Sequence, residues 1–132
     1  MTGSPRDRAL SLSVLPKVFA ICRLDSNAPI PSWANQPDFL SITRTRDELS
    51  IVCAQRNVPG DIQCERDWRA LRVQGPLDFA LTGILASLAV PLADAGIAIF
   101  AISTFDTDYL LVKEINLSRA IQVLSAVGHN IT

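Results

Sequence analysis

Residues 82–113 (TGILASLAVPLADAGIAIFAISTFDTDYLLVK) constrain the fold more than any other stretch, because they hold a helix, a strand, a tight polar turn and a returning strand in one run. Apolar residues recur at Leu81, Ile84, Leu85, Leu88 and Leu92, the spacing that lays one stripe along an amphipathic helix. Gly96 falls just past that helix, where the chain needs a left-handed residue and a Cβ would clash. Residues 97–103 (IAIFAIS) are rich in β-branched and aromatic side chains and read as a buried strand. The polar run 103–108 (STFDTD) turns the chain, and residues 109–113 return beside it. Pro91 conflicts with its surroundings. Inside a helix it removes the bond to the Ser87 carbonyl at a cost of about 3 kcal/mol or more, which predicts a kink or an irregular turn.

The neighbouring segments complete a pattern. Residues 68–73 form a strand that Gly75-Pro76 breaks. Asn116 is a suitable N-cap for a second helix with Leu117, Ala120, Ile121, Leu124 and Val127 on one face. Gly128 ends that helix, and residues 129–132 form a short last strand. Strand, helix, strand, strand, helix, strand is the βαββαβ, or ferredoxin-like, plan of an α+β domain. Two helices cover one face of such a sheet. About 65 residues make a marginal core, so the first half of the chain is expected to pack against the other face.

That first half is strand-rich and helix-poor. Residues 10–15 read as one strand stopped by Pro16, and residues 18–24 (VFAICRL) as a second. Residues 25–37 contain three prolines and two asparagines, so they form a loop with at most one helical turn around Trp33. Residues 39–44 and 48–54 form a hairpin. Residues 56–67 (RNVPGDIQCERD) are polar and mark the boundary, dividing the chain into 1–64 and 65–132.

Composition excludes several classes. Twelve basic and thirteen acidic residues leave a net charge of -1 with no basic face, so nucleic acid and anionic membranes are not expected partners. Residues 79–93 are uncharged, but fifteen residues fall short of the roughly 20 a membrane span needs. The N-terminal residues lack the apolar core and cleavage site of a signal peptide. Three cysteines, Cys22, Cys53 and Cys64, form no CxxC, and His129 is the single histidine. A disulfide framework and a zinc site are therefore disfavoured, and the cysteines read as reduced, mostly buried thiols of a cytoplasmic protein. His129 reads as a surface or helix-end residue without an evident partner.

No GxSxG, GxxxxGK[ST] or HExxH motif is present, and no catalytic, cofactor or metal site is assigned. Asp106 and Asp108 form a DxD that suits Mg²⁺ in principle, although two carboxylates at a turn are more often solvated turn-formers. The start of the central helix, Thr82, Gly83 and Ile84, is more informative. Its first N–H groups carry partial positive charge and bind carboxylates, and Gly83 leaves the backbone open to a ligand. Asp108 supplies a carboxylate for an amine or guanidinium, and Ile102, Ser103 and Thr104 add strand-edge backbone groups. Together these features match the two poles of an amino acid.

The second half, in WRALRVQGPLDFALTGILASLAVPLADAGIAIF and AISTFDTDYLLVKE with Gly128 and His129, closely resembles the ACT domain, a ferredoxin-like module that binds amino acids and regulates metabolic enzymes. The ISTFDTD run at residues 102–108 is its most specific part. More narrowly, the chain resembles the ACT subfamily of the cytosolic arginine sensors of the mTOR pathway and of small bacterial proteins built from two ACT units. LPKVFAICRLD, PSW and TRTRDELSIVC are similar to the companion unit of those bacterial proteins, here a degenerate ACT-like unit. The resemblance implies a non-catalytic sensor that holds an amino acid or similar metabolite where two ACT units pack. Residue by residue it implies Gly83 and Ile84 at the helix start, Ser103, Thr104 and Phe105 at the strand end, and Asp108 as partner of the ligand cation. One such unit with a degenerate companion implies a homodimer. The alternative is a dimerisation or protein-docking module without a small-molecule ligand.

Overall fold

The structure, a computed structural model, describes residues 9–78 and 82–132. Leu81 of the expected helical stripe lies outside the described residues. The elements in chain order are β1 (Ser11–Leu24), β2 (Ser41–Arg44), β3 (Leu49–Ala54), β4 (Cys64–Val73), α1 (Ile84–Asp94), β5 (Phe100–Ser103), β6 (Asp108–Lys113), α2 (Leu117–Ala126) and β7 (Asn130–Ile131). They are grouped in two compact units. Lys17–Trp68 form one, and the described residues of Met1–Pro16 and Arg69–Thr132 form the other.

The second of these units has the order β4, α1, β5, β6, α2, β7, the expected βαββαβ, in an α+β ferredoxin-like arrangement. Its strands lie in the order β7-β1-β4-β6-β5, so residues 11–16 of β1 separate the last strand from β4. β7 is parallel to β1, pairing Asn130 with Ser11 and Ile131 with Leu12. Along β4 and β6 the inward positions Leu71, Val73, Leu110 and Val112 join Ile84, Leu88 and Leu92 of α1 and Ala120 and Leu124 of α2 in one core. This is the helical stripe and strand alternation expected from period and burial. Val127 departs from the stripe and is exposed, because the helix has ended there.

Both helices stop as their glycines predict. Gly96 (φ 74°) and Gly128 (φ 102°) are left-handed. The Gly96 and Ile97 N–H groups donate to the Ala93 and Leu92 carbonyls, and the Gly128 and His129 N–H groups to those of Ser125 and Leu124. These are paired Schellman bonds. Ile97 is thus part of the helix stop, and β5 begins only at Phe100, later than the seven-residue strand expected. Asn116 stands at the N-cap of α2 but makes no side-chain cap bond. The chain already enters through a 3-10 turn over Glu114–Asn116, so Asn116 lacks the extended backbone a capping side chain needs.

His129 stands at the end of α2, as expected, but it is not a surface residue and it has partners. It is buried, its Nδ1 accepts the Leu10 N–H at 3.1 Å, and its Nε2 lies 3.0 Å from the Ser87 carbonyl. A backbone N–H only donates, so Nδ1 is the acceptor and Nε2 carries the proton toward Ser87. α1 is helical through Pro91 as far as Asp94.

The Lys17–Trp68 unit has the strand order β2-β3-β1-β4, using residues 17–24 of β1 and 64–68 of β4. β2 and β3 form the expected hairpin, with Ser41 opposite Val52 and Arg44 opposite Leu49. The loop 25–37 contains one 3-10 turn, Ser32–Ala34, which carries the buried Ala34. Ala20, Cys22, Leu49, Ile51, Cys53 and Val58 make the core.

Two strand boundaries differ from expectation. β1 is one strand running through Pro16. Pro16 falls after the last bond to the end of the chain, from the Val14 N–H to the Thr132 carbonyl, and before the first β3 pair at Phe19. Its missing N–H is therefore not needed by either ladder. β4 starts at Cys64, because polar residues 64–67 alternate in exposure as a strand does. Asp67 is left-handed (φ 67°) and is held by Gln55, which accepts its N–H at 2.6 Å and donates to its carboxylate at 3.0 Å.

Candidate functional site

The β5–β6 connection builds itself from its own side chains. Ser103 pairs with Asp108 across the strand ends, and the Ser103 hydroxyl donates to Asp108 Oδ1 at 2.5 Å. Between them the Thr104 N–H and Oγ1 both donate to the Thr107 carbonyl, at 2.8 and 3.0 Å. Thr104 Oγ1 also accepts the Thr107 N–H at 3.3 Å. Thr107 is only 4% exposed, and its hydroxyl donates to the Val73 carbonyl at 2.7 Å. A threonine between two aspartates thereby fastens the turn to the end of β4.

The segment after β4 closes the other side. The Leu77 N–H donates to the Asp106 carbonyl at 2.7 Å. A Cβ at Gly75 would stand 3.1 Å from the Asp106 oxygen and 3.3 Å from Thr107 Cβ. A side chain at position 75 would make these neighbours give by a few tenths of an ångström.

These contacts enclose a pocket of about 190 Å³. Ile84, Ser103, Thr104, Phe105 and Asp108, five of the six residues nominated from sequence, line it. Gly83 is not among the lining residues. It is the left-handed N-cap of α1 (φ 76°), immediately before Ile84, and no side chain caps that helix end. The first helical bond is the Ser87 N–H to the Gly83 carbonyl at 3.0 Å, so the N–H groups of residues 84–86 precede the helical ladder.

Leu77, Asp78, Asp106 and Thr107 also line the pocket and were not nominated. The signal for Thr107 was in the sequence as a β-branched residue within STFDTD, but its role depends on β4, which is remote along the chain. Asp78, Asp106 and Asp108 give the pocket three carboxylates, and no Lys, Arg or His is among its described lining residues. Its wall is acidic, while the helix start beside Ile84 presents partial positive charge. Phe105 stands at the rim, 82% exposed. Among the described residues no three His, Cys, Asp or Glu side chains are placed to hold a metal ion, and no helix is long and apolar enough to cross a membrane.

Residues 63–126, which carry α1, the pocket turn and α2, match the family model of the ACT domain. This segment of the chain is an ACT domain. Residues 17–61 match a separate model of an N-terminal domain. A crystal structure of an Agobacterium tumefaciens protein superposes on this ACT-domain chain with a TM-score of 0.90 and 41% identity, covering 95% of this chain and 93% of that one. The Homo sapiens protein named cytosolic arginine sensor for mTORC1 subunit 1 is 36% identical over 107 residues, covering 75% of this chain and 32% of the relative. The ACT-domain chain thus spans about a third of the length of the curated relatives it matches. Aspartate kinase of Clostridium acetobutylicum shares the fold, with a TM-score of 0.67 at 12% identity over 88% of this chain and 34% of the kinase.

Proposed function

We propose that this ACT-domain protein is a cytoplasmic, non-catalytic sensor that binds an amino acid or a similar small metabolite in the pocket between α1 and the β5–β6 turn. The observation that carries this reading is the two-sided polarity of that pocket. The ligand carboxylate takes the first N–H groups of α1 beyond Gly83, at Ile84, and the ligand ammonium or guanidinium pairs with Asp108. Ser103 holds Asp108 in place through its hydroxyl, Thr104 shapes the turn, and Phe105 covers the rim. Asp78 and Asp106 add negative charge and favour a ligand with a cationic group. Two hydrogen bonds to charged groups contribute roughly 1.5 to 3 kcal/mol each, which supports micromolar affinity at best. The pocket is smaller than the roughly 300–1,000 Å³ of drug-sized sites, in keeping with a ligand the size of one amino acid.

The reading includes a division into a companion unit, 1–64, and an ACT domain, 65–132. The two family-model matches, 17–61 and 63–126, support it. It also includes a homodimer that pairs ACT units and shares sites across the subunit interface. The name of the human relative, an arginine sensor, supports an amino-acid ligand.

A second reading, a dimerisation or docking module with no small-molecule ligand, is favoured by the exposure of Phe105 (82%) and Ile115 (91%). A thermal-shift panel of the purified protein against the twenty amino acids separates the two. A selective rise in melting temperature supports the sensor, since saturation at a hundredfold excess over Kd stabilises by about 2.7 kcal/mol. A flat panel supports the docking module.

A further inference from the structure

The helices α1 and α2 lie side by side and antiparallel. Arg119, in the first turn of α2, donates to the Ala95 carbonyl at the end of α1. At the other end His129, just past α2, reaches the Ser87 carbonyl near the start of α1. Ile84, Leu88 and Leu92 of α1 and Ala120 and Leu124 of α2 face the core. The outward ridges are therefore Ala86, Val90 and Ala93 on α1, and Arg119, Gln122 and Ala126 on α2. Residues 82–93 and 120–132 contain no Asp, Glu, Lys or Arg. Within α1 the polar side chains are the buried Ser87 and, at the last position, Asp94. A helix apolar on all sides belongs to a covered position, yet Val90 is 42% exposed and Val127, just past α2, is 55% exposed. Alanine ridges allow a second helical layer to approach closely.

Asp94 points to what covers this face. A carboxylate at the C-terminal end of a helix opposes the helix dipole. Asp94 is exposed, and its side chain makes no hydrogen bond or ion pair among the described residues. Arg119 occupies the same corner but directs its guanidinium to the Ala95 carbonyl. The outer face thus carries one acid and one base, both at one end, and is otherwise uncharged. A two-fold axis parallel to the helices and in the contact plane lays α1 of one copy over α2 of the other. Each Asp94 then faces the partner subunit's Arg119, and four charges of alternating sign meet at one end. Such self-complementarity is what an isologous contact requires. We propose that the outer face of α1 and α2 docks a second copy of this chain about that axis. The inference rests on the homodimer proposed above and assigns its contact face. The same operator brings the partner subunit's Val127 beside the start of α1, where Ile84 lines the pocket.

The test is the solution mass of the full chain by light scattering, for the unsubstituted protein and three variants. Asp94→Arg and Arg119→Glu each place at a helix end the charge its dipole favours, so both are expected to fold. Either one gathers four like charges at the contact, and each is expected to be monomeric at a concentration where the unsubstituted chain is a dimer. An equimolar mixture of the two restores both ion pairs and is expected to give a dimer with one chain of each, identified by native mass spectrometry. Val90→Glu, at the middle of the apolar ridge, is expected to be monomeric as well. A dimer that persists in all three variants overturns the face assigned here and leaves the homodimer standing. Variants that stay monomeric when mixed overturn the reciprocal pairing. A monomeric unsubstituted chain overturns both the face and the homodimer.

Discussion

His129 donates to the carbonyl that Pro91 leaves without a helical partner. Proline at position 91 has no N–H for the Ser87 oxygen four residues earlier, and His129 Nε2 stands 3.0 Å from that oxygen. The second ring nitrogen takes the Leu10 N–H at 3.1 Å. One buried imidazole thus satisfies two backbone groups on two elements, α1 and the chain entering β1. Its own position is set by the Schellman stop of α2, in which the His129 N–H donates to the Leu124 carbonyl.

His129→Ala leaves the Leu10 N–H and the Ser87 carbonyl unsatisfied in a buried setting. The expected cost is about 2–6 kcal/mol, at roughly 1–3 kcal/mol for each of the two orphaned groups. In a Pro91→Ala background, residue 91 donates to Ser87 itself, so the same substitution is expected to cost about 1 kcal/mol less. Urea denaturation of the four proteins in a double-mutant cycle measures the difference; additive costs would show that the two residues are independent.

Thr107→Val keeps the shape of the side chain and removes the hydroxyl that binds the Val73 carbonyl. Loss of that bond is expected to destabilise the ACT unit by about 1–3 kcal/mol. Thr104→Val removes a part-buried bond within the turn itself, and a loss below about 1 kcal/mol is expected. Equal midpoints for the two variants in urea would contradict the fastening role assigned to Thr107.

Gly75→Ala places a methyl 3.1 Å from the Asp106 carbonyl oxygen and 3.2 Å from the Leu77 nitrogen. Both neighbours are backbone, so the turn must shift, and a cost of about 1–3 kcal/mol is expected. Gly60→Ala is the control, because nothing lies within 4 Å of its added Cβ. It is expected to change stability by less than about 0.5 kcal/mol.

How much of this was legible in the sequence follows the range of the interaction involved. Ile84, Leu88 and Leu92 announced α1, and Gly96 and Gly128 announced its end and that of α2, because period and backbone sterics act within a few residues. The pocket turn was legible for a similar reason: Ser103 and Asp108 face each other across a short hairpin. What escaped depends on partners distant along the chain. Pro16 looked like a strand breaker because the gap in its ladder is visible only once β7 and β3 are placed. His129 looked solitary because its partners, Leu10 and Ser87, lie 119 and 42 residues away. Gly75 and Thr107 gained their roles only when the segment after β4 met the β5–β6 turn.

The central claim is that Asp108 pairs with the cationic group of an amino-acid ligand, and calorimetric titration with whichever amino acid gives the largest thermal shift tests it most directly. Asp108→Asn keeps the size of the side chain and removes its charge. The account predicts binding weakened about 10- to 100-fold, equivalent to the roughly 1.5–3 kcal/mol of one charged hydrogen bond, with the melting temperature of the unliganded protein nearly unchanged. Equal affinity of the variant and the unsubstituted protein would contradict it.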